Sequence, residues 1–61
     1  MKKTMTYSIH THDEIHGWHV SKESLNLDTF GDDDKWAFNF ILENECEYVK
    51  MGDTMWTIEQ G

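Results

Sequence analysis

Residues 4–11, TMTYSIHT, alternate with period two: Met5, Tyr7 and Ile9 fall on one side, Thr6, Ser8 and His10 on the other. A stretch of this kind forms a half-buried strand and has to find a partner strand. One is close by. HGWHV at 16–20 follows the polar run HDEI. A four-residue loop at 12–15 pairs Thr11 with His16, Ile9 with Trp18 and Tyr7 with Val20. Directly opposed residues share a face, so every large apolar side chain of this ribbon gathers on one side. The spacing therefore predicts an opening hairpin with Trp18 and Val20 in the core.

ECEYVKMGDTMWTIEQ, residues 45–60, has the same logic with a sharper turn. Gly52 and Asp53 suit a two-residue loop with glycine first. Met51 then opposes Thr54, Val49 opposes Trp56, and Glu47 opposes Ile58. Val49, Met51, Trp56 and Ile58 share one face, and Tyr48, Lys50, Met55 and Thr57 the other. Cys46 reads as a passive residue opening this ribbon.

Between the two ribbons, DDDKWAFNFILEN at 32–44 has helical spacing. Asp32 is placed to cap it, and Asp32, Asp33 and Asp34 suit the positive end of the helix dipole. Trp36, Ala37, Phe40 and Ile41 fall on one face, which Phe38 and Leu42 widen. Asn44 is a tolerable end residue. Residues 24–29 form either an extra edge strand or a loop that tucks Leu25, Leu27 and Phe30 under the core.

The element order is ββαββ, and the fold class is a small two-layer α+β domain spanning residues 1–61. An antiparallel sheet is covered on one face by a single helix. The predicted core is Met5, Tyr7, Ile9, Trp18, Val20, Trp36, Ala37, Phe40, Ile41, Val49, Trp56 and Ile58. A chain of 61 residues has room for one modest core. Its single cysteine allows no internal disulfide and no CxxC zinc pattern. Three Trp, three Phe and two Tyr supply the burial instead. A homodimer would add more through the uncovered sheet face.

Twelve Asp and Glu oppose five Lys, with no Arg, for a formal charge of −7. Direct nucleic-acid binding needs cations on phosphates, and guanine is most often read by Arg, so that class is excluded. Anchoring to an anionic membrane is disfavoured for the same reason. No apolar run approaches the ~18 residues of a membrane span. The start, MKK, is like the basic end of a signal peptide, but no apolar stretch follows it. The expectation is a cytoplasmic, unprocessed protein.

All four histidines lie in HTHDEIHGWH, residues 10–19. In the predicted register His10 and His19 are diagonal neighbours on the face away from the core. His12 opens the turn beside Asp13 and Glu14. His10, His12 and His19 are thus candidate ligands for Zn or Ni, set against the plainer reading of an exposed polar hairpin.

Seven carboxylates, Asp28, Asp32, Asp33, Asp34, Glu43, Glu45 and Glu47, flank the helix at its two ends. They are candidate partner-binding residues that attract a basic surface and can imitate a phosphate backbone. Tyr48 and Met55, on the outer sheet face, join them because Tyr and Met are enriched at interfaces. The expected function is a small acidic, non-enzymatic binding protein that docks onto a larger protein, in the manner of phage- or mobile-element-type inhibitors of host enzymes. The alternatives are a histidine-cluster metal-binding module and an accessory subunit of a larger assembly.

Overall fold

β1, Met5–Asp13, is the spine of the sheet. In the computed structural model, which describes residues 4–60, it pairs antiparallel with β2, Gly17–Ser24, on one side and β4, Thr54–Gln60, on the other. β3, Tyr48–Met51, pairs with β4, which gives the order β2-β1-β4-β3. The helix α1, Asp32–Asn44, packs on one face against β3 and β4. The ββαββ two-layer α+β domain is what forms. Lys2 and Lys3, the basic opening, lie outside the described residues.

The second hairpin has the expected register, with Met51 opposite Thr54 and Val49 opposite Trp56. Gly52, at φ 59°, supplies the left-handed backbone that the two-residue turn requires. β3 begins only at Tyr48, so Cys46 sits in the connection after the helix rather than in a strand.

The first hairpin turns later than its polar run implies. The turn is Glu14–His16, closed by Gly17 at φ 67°. A three-residue loop followed by a left-handed glycine is a favoured hairpin connection. Asp13 Oδ1 accepts a hydrogen bond from the Ile15 amide at 2.8 Å and fixes the start of the loop. His12 therefore opposes Trp18, and His10 opposes Val20. The shift changes the parity of the pairing, and with it the face. Trp18 and Val20 leave the core side and stand 42% and 49% exposed on the opposite face.

A bulge opposite the step from Ile9 to His10 restores the parity further along β2. The extra residue is Ser21, whose hydroxyl bonds the Ile9 carbonyl at 3.3 Å. Beyond it, Lys22 turns to the helix side and Glu23 to the outer side. Lys22 Nζ bonds the Thr29 carbonyl at 2.7 Å and lies 4.7 Å from the centre of the Phe30 ring.

That contact pins down the segment after β2. No edge strand forms over 24–29. Ser24 and Asn26 side chains bond nearby backbone, Asn26 Oδ1 accepting from the Asp28 amide at 2.9 Å, and a single 3₁₀ turn follows at Leu27–Thr29. Phe30 is buried and Leu27 half-buried, whereas Leu25 is exposed.

The core is Ile9, Phe30, Ala37, Phe38, Ile41 and Trp56, with Tyr7, Leu27, Val49 and Ile58 packed against it. Phe38 is its fully buried centre. Its ring lies 4.9 Å from Phe30 and 5.2 Å from Tyr7, the latter edge to face. The helix stripe facing the sheet is thus Asp34, Ala37, Phe38 and Ile41, rotated by roughly 80° from the expected one at 100° per residue. Trp36 and Phe40 are exposed instead. The cause is a polar requirement of the core. Trp56 is buried, its indole N–H needs an acceptor, and Asp34 Oδ1 provides it at 2.9 Å. With Asp34 turned inward, Ala37, Phe38 and Ile41 follow at i+3, i+4 and i+7.

The helix ends also differ in detail. Gly31 is the N-cap residue, without a side-chain cap, and Asp32 is the first helical residue. Glu45, at φ 52°, forms the left-handed C-terminal cap, and the Cys46 amide bonds the Ile41 carbonyl at 3.1 Å.

Candidate functional site

The rotation of α1 creates a surface that periodicity alone assigns to the core. Asp33, Trp36, Phe40 and Glu43 are spaced by three, four and three residues, so they line one exposed stripe of the helix. Trp36 is 55% exposed and Phe40 40%. Their rings lie 5.5 Å apart at an interplanar angle of 33°. Beside them a groove of about 430 Å3 runs between the helix start and the β3–β4 turn, lined by Asp33, Asp34, Trp36, Met51, Thr54 and Trp56. Met51 is also half exposed.

Among the carboxylates, Asp32, Asp33, Glu43, Glu45 and Glu47 are exposed. Asp28 is exposed and lies 3.9 Å from Lys35 Nζ, a surface pair that contributes little to stability. Asp34 departs from its expected role. It is half-buried and committed to Trp56, so it shapes the groove rather than offering a free charge.

The outer face of the sheet is the second surface. The register places Trp18, Val20 and Glu23 from β2 there, beside Ser8, His10 and His12 from β1, Met55 and Thr57 from β4, and Tyr48 and Lys50 from β3. Tyr48 is 53% exposed and Met55 partly buried. Both are on the face expected of them. The Lys50 ammonium lies 5.3 Å from the centre of the Trp18 ring.

The histidines do not come together as the sequence register implies. His10 Nε2 lies 2.8 Å from Thr57 Oγ1, and the His12 ring stands edge to face against Trp18 at 5.4 Å. His19 opposes Thr11 and is on the helix side, with Nε2 3.2 Å from Thr11 Oγ1 and Nδ1 3.1 Å from the Gly17 carbonyl. The change of parity that moved Trp18 outward moved His19 the other way. The expected Zn or Ni ligands His10, His12 and His19 are split between two faces. Among the described residues no group of three or more His, Cys, Asp or Glu is placed to hold a metal ion.

The acidic ends of the helix are legible from composition. The aromatic stripe and groove are not, because Trp36 and Phe40 have helical spacing and so look like core. The usable signal is Asp34, 22 residues before a tryptophan that must bury its N–H. Among the described residues no helix is long and apolar enough to cross a membrane. Comparisons of this chain with protein-family models, curated proteins and solved structures gave no match.

Proposed function

We propose that this chain is a small acidic binding protein, not an enzyme, that docks onto a larger protein bearing a basic surface and acts by occupying a site there, as small inhibitor proteins do. One observation carries the reading: the exposed Trp36–Phe40 pair sits between acidic groups at both ends of the same helix stripe. An apolar aromatic centre with a charged rim is the anatomy of a protein interface. The charge speeds encounter with a basic partner, and the aromatic pair supplies the buried contact.

The same arrangement favours docking over imitation of a nucleic-acid backbone. The helix is 13 residues long, so roughly 20 Å separates the two acidic ends. Trp36 and Phe40 occupy the middle, where a phosphate mimic needs further carboxylates.

The test is affinity capture with the intact chain, identification of the captured protein by mass spectrometry, and calorimetric titration of that protein. Trp36→Ala is expected to weaken binding at least tenfold, since central aromatic anchors carry most of an interface's energy. Replacing Asp32 and Asp33 by Lys should slow association and remove its salt dependence. Binding unchanged in both variants refutes docking through this stripe.

A further inference from the structure

We infer that two copies of this chain pair face to face through the outer side of the sheet. This goes beyond the docking reading, which uses the opposite layer of the molecule. Four observations converge on a second copy as the occupant of that face.

The first is charge. Asp28, Asp32, Asp33, Asp34, Glu43, Glu45 and Glu47 all belong to the helix and its flanking segments. Among the described residues the outer sheet face carries Glu23 and Glu59 against Lys50, and the remaining carboxylates, Asp13, Glu14 and Asp53, sit at the hairpin turns at one end of the sheet. Two chains of formal charge −7 repel each other on most approaches. Meeting through this face puts two sheets, about 10 Å apart, between their acidic helix layers. The helix layers then lie roughly 30 Å apart, several times the Debye length of about 8 Å at physiological salt, so repulsion between their exposed charges is weak.

The second is self-complementarity. Lys50 Nζ rests over Trp18 of its own chain, and the one ion pair among the described residues is Lys35 with Asp28. Glu23, on the far edge strand, has the Ser8 hydroxyl at 3.5 Å as its hydrogen-bond partner among the described residues. A two-fold axis parallel to the strands sets β3 of one copy over β2 of the other. Lys50 then faces Val20 of the second copy, with Glu23 one row along, about 7 Å down the strand and about 10 Å across the gap, a backbone separation of roughly 12 Å that the two extended side chains bridge together. The symmetry makes this contact twice.

The third is area. Four strands about 4.8 Å apart make a face roughly 19 Å wide. With β4 seven residues long at about 3.3 Å each, the face projects to roughly 450 Å2 per copy. Two such faces together hide about 900–1,000 Å2, below the range of stable complexes and within that of weak ones, which implies a dimer that forms only at high concentration.

The fourth is that sideways association is blocked. β3 is only four residues long, and β2 is bulged at Ser21 and polar beyond it. Short or bulged edges resist strand addition. Of the two exposed surfaces left, the Trp36–Phe40 stripe is flanked by carboxylates that repel a second copy, which favours the face with Trp18, Val20, Tyr48 and Met55.

The experiment is sedimentation equilibrium of the intact chain from about 5 μM to 1 mM, with Lys50→Glu and Glu23→Lys variants alone and mixed in equal amounts. The wild type is expected to move from monomer to dimer across this range. Each variant alone brings like charges together at both contacts and is expected to raise the dissociation constant at least tenfold. The mixture forms a heterodimer in which both contacts are again opposite in sign, so it is expected to return to near the wild-type value. Recovery on mixing excludes misfolding as the cause of the loss. A wild type that stays monomeric to 1 mM overturns the inference. So do single variants that dimerise like the wild type, and a mixture of folded variants that stays monomeric. None of these results bears on capture through Trp36 and Phe40.

Discussion

Replacing Phe38 by Ala tests which side of the helix is buried. Phe38 has no exposed surface and contacts both Tyr7 and Phe30 through its ring. A Phe→Ala change at such a site costs about 3–5 kcal/mol, from lost transfer energy and the cavity left behind. At about 0.05–0.15 kcal/mol per residue, a domain of 61 residues has a total stability of only about 3–9 kcal/mol. Phe38→Ala should therefore remove most or all of it. Trp36→Ala and Phe40→Ala remove half-exposed side chains and should each cost under about 1 kcal/mol, near the range for surface substitutions. Phe38→Leu keeps much of the volume and should cost about 1 kcal/mol. The assay is urea denaturation followed by far-ultraviolet circular dichroism, which avoids relying on Trp36 as a fluorescent probe. Should Phe38→Ala unfold near the wild-type midpoint while Trp36→Ala or Phe40→Ala collapses the fold, the helix would be turned to the face that simple spacing predicts, and the exposed stripe would not exist.

Three further substitutions probe local geometry. Asp34→Ala leaves the buried Trp56 N–H without its acceptor and should cost about 1–3 kcal/mol, whereas Asp34→Asn keeps an acceptor oxygen and should cost less; equal losses in chemical denaturation would refute the hydrogen bond. A Cβ at Gly17 would meet no other group within 4 Å, so Gly17→Ala should cost only the left-handed backbone strain, about 1–2 kcal/mol, read as a lower thermal midpoint. Glu45→Gly relieves the same strain at the helix end and removes a negative charge from the negative pole of the dipole. It should raise stability by about 0.5–1 kcal/mol, an increase of a few degrees in Tm, and a decrease would contradict the left-handed cap.

The two hairpins show what sequence patterning can and cannot specify. Around Gly52 and Asp53, a tight turn leaves one register that puts Val49, Trp56 and Ile58 together, and that register forms. Around residues 12–17 two turns compete. The four-residue loop gathers all apolar side chains on one face, but the chain takes the turn that uses Asp13 as a side-chain acceptor and Gly17 as the left-handed residue. Local turn chemistry outweighs the burial of Trp18 and Val20, and the bulge at Ser21 makes that outcome compatible with Lys22 and Phe30 on the inner side. The helix was ambiguous for another reason. Its aromatic residues occupy more than one side, and the choice between sides depends on Asp34 and Trp56, far apart in sequence. The acidic residues at the helix ends needed no such long-range information, whereas the aromatic stripe between them did.

The register of the first hairpin decides where Trp18, Val20, His10 and His19 point, and so underlies both the split of the histidines and the placement of Trp18 and Val20 on the outer face. Cross-strand nuclear Overhauser effects in solution measure it directly. Contacts between the backbones of His12 and Trp18 and of His10 and Val20 are the predicted result. Contacts joining Ile9 to Trp18 and Tyr7 to Val20 would contradict it and return both side chains to the core.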